Sequence, residues 1–184
     1  MRSTDSIAKE DTVDKEMQIS KLDAARRQLE TAIRLYFHTG DPVSIHTLTA
    51  AAYQIIRNIN QARGGEKRLK KDLILELAKP EFRAELIQKM NAAENFFKHA
   101  DKDPDVLLEF NPAQTDIMIQ DALESYFQLT GEQTPLMSTY KAWFMATNAD
   151  LFNLGPDQKQ DLFLSEKMGK LDFFQKFLPL AMKI

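Results

Sequence analysis

The chain contains no cysteine. Disulfide frameworks and thiolate chemistry are therefore excluded. Glycine and proline are sparse, at 6 and 7 in 184 residues. That is too few for the turn-rich pattern of a sandwich or barrel. No run of about 18 apolar residues occurs, so no segment reads as a membrane span. Residues 1–17 are charged and lack the apolar stretch of a secretory signal. The expected setting is cytoplasmic, with no membrane contact. Arginine is missing from the last hundred residues, the final one being Arg83.

What is present is helix-forming material. The hydrophobic share of 43% suffices for a real core, and 184 residues fit one domain. Residues 1–17 are expected to be disordered or frayed, and 18–184 to form a single all-α domain. Leu22, Ala25, Leu29, Ile33 and Tyr36/Phe37 repeat at helical spacing until Gly40. Asp41-Pro42 restarts the pattern as an N-cap carboxylate followed by proline at the first helical position. Ile45, Leu48, Ala52, Ile55 and Ile59 continue it, and so short a link predicts an antiparallel helical hairpin. After Arg63-Gly64-Gly65-Glu66, a shorter helix is expected over 69–77. Phe82, Leu86, Met90, Ala93 and Phe97 mark the next stripe. Further helices are expected at about 113–130, from Thr134-Pro135 through Trp143 to about Leu151, and within 162–184. The predicted fold is a single bundle of about six or seven helices. Ile33, Phe37, Ile45, Leu48, Ile55, Leu86, Met90, Phe97 and Trp143 are the expected core.

Charge is unevenly placed. Residues 1–100 carry a net +3 and residues 101–184 a net −6. Such halves either complement one another or present an acidic face to a partner. The basic run Arg63, Lys67, Arg68, Lys70 and Lys71 lacks interleaved aromatics, and the pI is about 5.7. Nucleic acid is therefore not the expected partner. The expected partner is another protein or a second copy of the chain, and a small anionic ligand stays open.

The densest group of chemically competent side chains is Asn95-Phe96-Phe97-Lys98-His99-Ala100-Asp101, at the end of an apolar helix. Asn95, Lys98 and His99 fall within one turn, and lysine, imidazole and amide can all donate to an anion. The alternative is a solvated face, with Glu94 and Lys98 paired at i, i+4 and His99 against the helix C-terminus. The first hairpin offers a second polar set. Arg27, Glu30, Arg34 and His38 run down one helix, and His46, Tyr53, Arg57 and Asn58 along the other. Glu30 with Arg34 is the simplest ion pair there. The ligand-site candidates are thus Asn95, Lys98, His99, His46 and Arg57. No catalytic set, cofactor or metal site is read. The histidines His38, His46 and His99 show no H-E-x-x-H or Glu-x-x-His spacing. Asp101-x-Asp103-x-Asp105 opens like a calcium loop, but Val106 and Pro112 stand where glycine and glutamate are needed.

The stretches 25–33 and 41–48, with 95–101, resemble a group of small uncharacterised bacterial helical proteins over roughly half the chain. That resemblance implies no activity. A more distant resemblance is to the HEPN superfamily of helical bundles, which includes RNases and nucleotide-binding toxins. Those nucleases place a histidine shortly after an arginine and a polar residue. Arg57-Asn58 opens such a motif here and no histidine follows it, while Arg34 and His38 enclose only three residues. Two functions are therefore carried forward. One is a non-enzymatic binding or interaction protein. The other, implied by the resemblance, is a HEPN-like RNase or nucleotide-binding/processing protein. Asn95, Lys98 and His99 are expected at the mouth of a groove shared with the first hairpin. Their convergence with His46 or Arg57 would favour a site.

Overall fold

Capping groups set the helix boundaries. The computed structural model describes residues 16–65, 79–101, 104–149 and 168–183. Ser20 opens α1 (Lys21–Phe37), its hydroxyl accepting the Asp23 N–H at 3.0 Å. Asp23, in the positive first turn, also holds Arg26 at 2.6 Å and Arg27 at 2.8 Å. Arg26 reaches Glu30 at 3.5 Å, so Glu30 pairs one turn earlier than the expected Arg34.

The chain reverses over residues 38–41. Thr39 takes a left-handed φ of 51°, a costly conformation for a β-branched residue. The Gly40 N–H donates to the Leu35 carbonyl at 2.7 Å. A Cβ on Gly40 would stand 2.9 Å from the Leu35 Cβ. Gly40 does end the pattern, but through close approach; the left-handed residue is its neighbour.

Asp41 then caps α2 (Pro42–Ala62), its carboxylate accepting the Ser44 N–H at 2.7 Å. A short 3-10 turn, Pro80–Phe82, leads into α3 (Arg83–Lys98). α4 (Ala113–Thr130) ends at Gly131, whose φ of 72° and N–H bond to the Phe127 carbonyl at 2.7 Å make a left-handed cap. Thr134 caps α5 (Pro135–Thr147). α5 ends at Thr147, short of the expected 151; the side-chain amide of its C-cap, Asn148, folds back onto the Phe144 carbonyl. α6 (Lys170–Ala181) completes six helices among the described residues, with no strand. The helix expected over 69–77 lies outside the described residues, as do 1–15 of the expected frayed stretch.

Helix packing is most extensive between α1 and α2, as the short link demands. α4 lies on α2, and α5 and α6 pack on each other and on α1. The core runs through these five helices, with Leu29, Ile33, Phe37, Ile56, Ile119, Met137, Tyr140 and Phe173 fully buried. Ring contacts centre on Phe37, which lies 4.9 Å from Phe174 and about 6 Å from Tyr140 and Trp143.

Of the expected core, Ile33, Phe37, Ile45 and Trp143 are buried, and Leu48 and Ile55 are half-buried against it. Met90 and Phe97 are only half-buried. The Leu86 side chain lies outside the description. The reason is position. Among the described residues α3 packs mainly on α2, so there its apolar stripe meets fewer neighbours than those of the other helices.

The cap generates a test. Asp41→Ala should lower the urea midpoint, whereas Asp41→Asn should keep most of it, because either side chain accepts the Ser44 N–H. Equal losses would show that the carboxylate acts otherwise than as a cap.

Candidate functional site

The last three turns of α3 present two unlike faces. Ala93 is buried, and Glu94, Phe97 and Lys98 stand on the side nearest α2. Lys98 is held by Glu94 at 2.7 Å. Gln88, Ala92, Asn95, Phe96 and His99 recur at helical spacing on the other face. With Asp101, Val106, Leu107 and Leu108 they line an open groove of about 700 Å³. His99 ends the helix: its N–H donates to the Asn95 carbonyl at 3.0 Å while its own backbone turns extended. The groove is therefore walled by one helix face and by the chain that returns past it after His99.

His46 lies behind that wall, on α2. It is 2% exposed. Its Nδ1 lies 2.9 Å from the Thr115 hydroxyl on α4. Its ring meets the edges of Phe97 and Phe110 at 5.8 and 5.2 Å, and those two rings lie 5.1 Å apart. Burial holds the imidazole pKa below its usual value; Glu94 opposes this and Lys98 adds to it. The neutral ring pins α2, α3, α4 and residue 110 together.

The five sequence candidates thus divide. Asn95 and His99 share the groove. Lys98 is engaged by Glu94, within electrostatic range of His46. His46 is a buried anchor. Arg57 stands eleven residues further along α2, about 16 Å by helix rise, and is half-buried with interactions of its own. The groove lining includes no residue of α1 or α2, so it is not shared with the first hairpin as expected. The helical spacing that puts Asn95 and His99 outward turns Phe97 and Lys98 inward. His38 and His46 are not brought together either. His38 is exposed, with Nδ1 2.8 Å from the Arg34 carbonyl and its ring on Phe174. Among the described residues, no group of three or more His, Asp or Glu is placed to hold a metal ion.

A second polar cluster went unread in the sequence. The Tyr36 hydroxyl accepts the Trp143 indole N–H at 3.1 Å and donates to the Asp116 carboxylate at 3.3 Å. The Tyr140 hydroxyl donates to the Asp116 carbonyl at 3.0 Å. The Lys170 ammonium sits 3.6 Å above the Tyr36 ring. Burial pushes both tyrosine hydroxyls well above their ordinary range and raises the Asp116 carboxyl, against the pull of Lys170 and Tyr36. Burial also lowers Lys170, against Asp116. Tyr36 and Trp143 read in the sequence only as apolar stripe positions, 107 residues apart, and nothing there singles out Asp116. No local spacing links them. The cluster spends its donors and acceptors on itself and joins α1, α4, α5 and α6, a structural arrangement more than a reactive one. A buried pair, Tyr53 with Asp121 at 2.9 Å, links α2 to α4 in the same manner.

No family model matches the chain, and no curated protein or solved structure matches it.

Two outcomes are expected. His46 has a folded pKa below its unfolded value of about 6.5. As pH falls the unfolded chain takes up the proton first, so this contribution is fully present above about 6.5 and declines below it. Urea titrations between about pH 7 and 5.5 should show this loss, and His46→Gln should flatten it; identical slopes would contradict the assignment. Tyr36→Phe leaves the Trp143 N–H and Asp116 without their partner. It should cost about 1–3 kcal/mol, measured by denaturation, and a neutral result would show the cluster to be incidental.

Proposed function

We propose that this protein is a helical binding protein, not an enzyme, and that it recognises another molecule in the groove beside α3. One observation carries this reading. Asn95 and His99, two of the donors singled out in the sequence, line an open groove of about 700 Å³ together with Phe96, Val106, Leu107 and Leu108. A concave wall that mixes apolar side chains with Gln88, Asn95, His99 and Asp101 suits recognition. The same site is poorly equipped for bond-making. Among the described residues no carboxylate or hydroxyl bonds the His99 ring to set a tautomer, Lys98 is committed to Glu94, and His46 is enclosed by aromatic rings.

The test is a fragment screen by amide chemical-shift mapping on the full chain, with nucleotides and small anions included. Hits are expected to move Asn95, Phe96, His99 and residues 106–108, and to be lost in Asn95→Ala/His99→Ala. Hits confined to other surfaces would contradict the reading. A nucleotide hit abolished by Lys98→Ala/His99→Ala, with turnover of the nucleotide, would replace it with the HEPN-like alternative.

A further inference from the structure

The chain that forms the far wall of the groove has no regular structure. Residues 106–109 make no backbone hydrogen bond to any described residue. From Leu107 to Phe110 the side chains nevertheless alternate. Leu108 and Phe110 are half-buried, the latter against His46 and Phe97, while Leu107 and Glu109 are exposed. A period of two is the mark of extended chain. Leu107 is 94% exposed and Val106 54%, an exposure that a soluble surface seldom gives to adjacent large aliphatics. Asp101, Asp105 and Glu109 flank this stretch, and none forms an ion pair among the described residues, whereas the lysines of α3 are taken by Glu85 and Glu94.

Resting on the reading of the groove as a binding surface, we propose that the 106–109 edge takes up an extended, basic segment of a partner protein by backbone pairing. Main-chain N–H and C=O groups of 106–109 would supply affinity, as where a peptide adds to a free strand edge. Alternate side chains of the segment would enter the groove over Phe96 and Leu108. Its lysines or arginines would meet Asp101, Asp105 and Glu109. The same carboxylates disfavour a second copy as the occupant, because self-pairing would set two acidic edges against each other.

The test uses the full chain, isotope-labelled, and three synthetic peptides. One alternates lysine and valine. The second has glutamate in place of lysine. The third is the lysine–valine peptide N-methylated at alternate residues, which keeps charge and side chains but loses the pairing N–H groups. The first should bind, slow amide exchange at 106–109, and weaken with added salt. The third should bind roughly tenfold more weakly or less, and the second not at all. Glu109→Lys, at an exposed position, should weaken the first peptide without unfolding the chain. Equal binding of the first and third peptides, or binding with no slowed exchange at 106–109, would overturn backbone pairing. Slowed exchange there without peptide, growing with protein concentration, would overturn it in favour of a second copy. Fragments that occupy the groove while all three peptides fail would overturn this inference alone; failure of both would remove the groove reading as well.

Discussion

The hydroxyl of Tyr36 is the point on which the bundle turns. One oxygen accepts from Trp143 and donates to Asp116, and the ring beneath it carries the Lys170 ammonium. Four helices, α1 and the much later α4, α5 and α6, are bound to it. Each such buried hydrogen bond contributes only about 1 kcal/mol net, but an orphaned partner costs more. The arrangement therefore acts chiefly by selection: a packing that separates α1 from α4 or α5 strands a buried donor or a carboxylate. The rings of Phe37, Tyr140, Trp143, Phe173 and Phe174 close around the same point, so apolar burial and polar satisfaction specify one geometry.

Among the described residues, α3 is attached to this well-tied body by less. Its inner face offers Ala93, Phe97 and the Glu94–Lys98 pair to α2, and His46 is the pin. Its outer face, with Gln88, Ala92, Asn95, Phe96 and His99, is given to the groove. Binding surfaces are commonly drawn from elements with few buried contacts, positioned by a rigid scaffold. The charge asymmetry of the sequence acquires a location in this setting: Asp101, Asp105 and Glu109 all belong to the connection between α3 and α4.

Much of the fold was legible because local chemistry decided it. Asp41-Pro42 and Thr134-Pro135 read as helix starts and are helix starts. The helix expected to end at about 130 does so, at Gly131. The stripes through Ile33, Phe37 and Ile45 point inward, since each helix of the body has neighbours on its apolar side. Where local chemistry does not decide, the reading failed in a consistent way. Phe97 has the same spacing as Phe37, but spacing cannot say that, among the described residues, α3 packs mainly on α2 alone. Asn95, Lys98 and His99 are neighbours in sequence, and the helix nonetheless turns Lys98 towards Glu94 and away from the groove lined by the other two. The Tyr36 cluster joins residues from four helices, and its members look like ordinary core or cap positions until the helices are assembled.

The central claim is that a tightly tied body presents a more weakly held helix whose outer face binds. Native-state amide exchange measures this most directly. Amides of α1, α2, α4 and α5 should exchange only through global unfolding, with one common free energy. Amides of α3 should open at a distinctly lower free energy, and those of 106–109 should exchange almost freely. Protection of α3 and residues 106–109 equal to that of α1 would contradict the account.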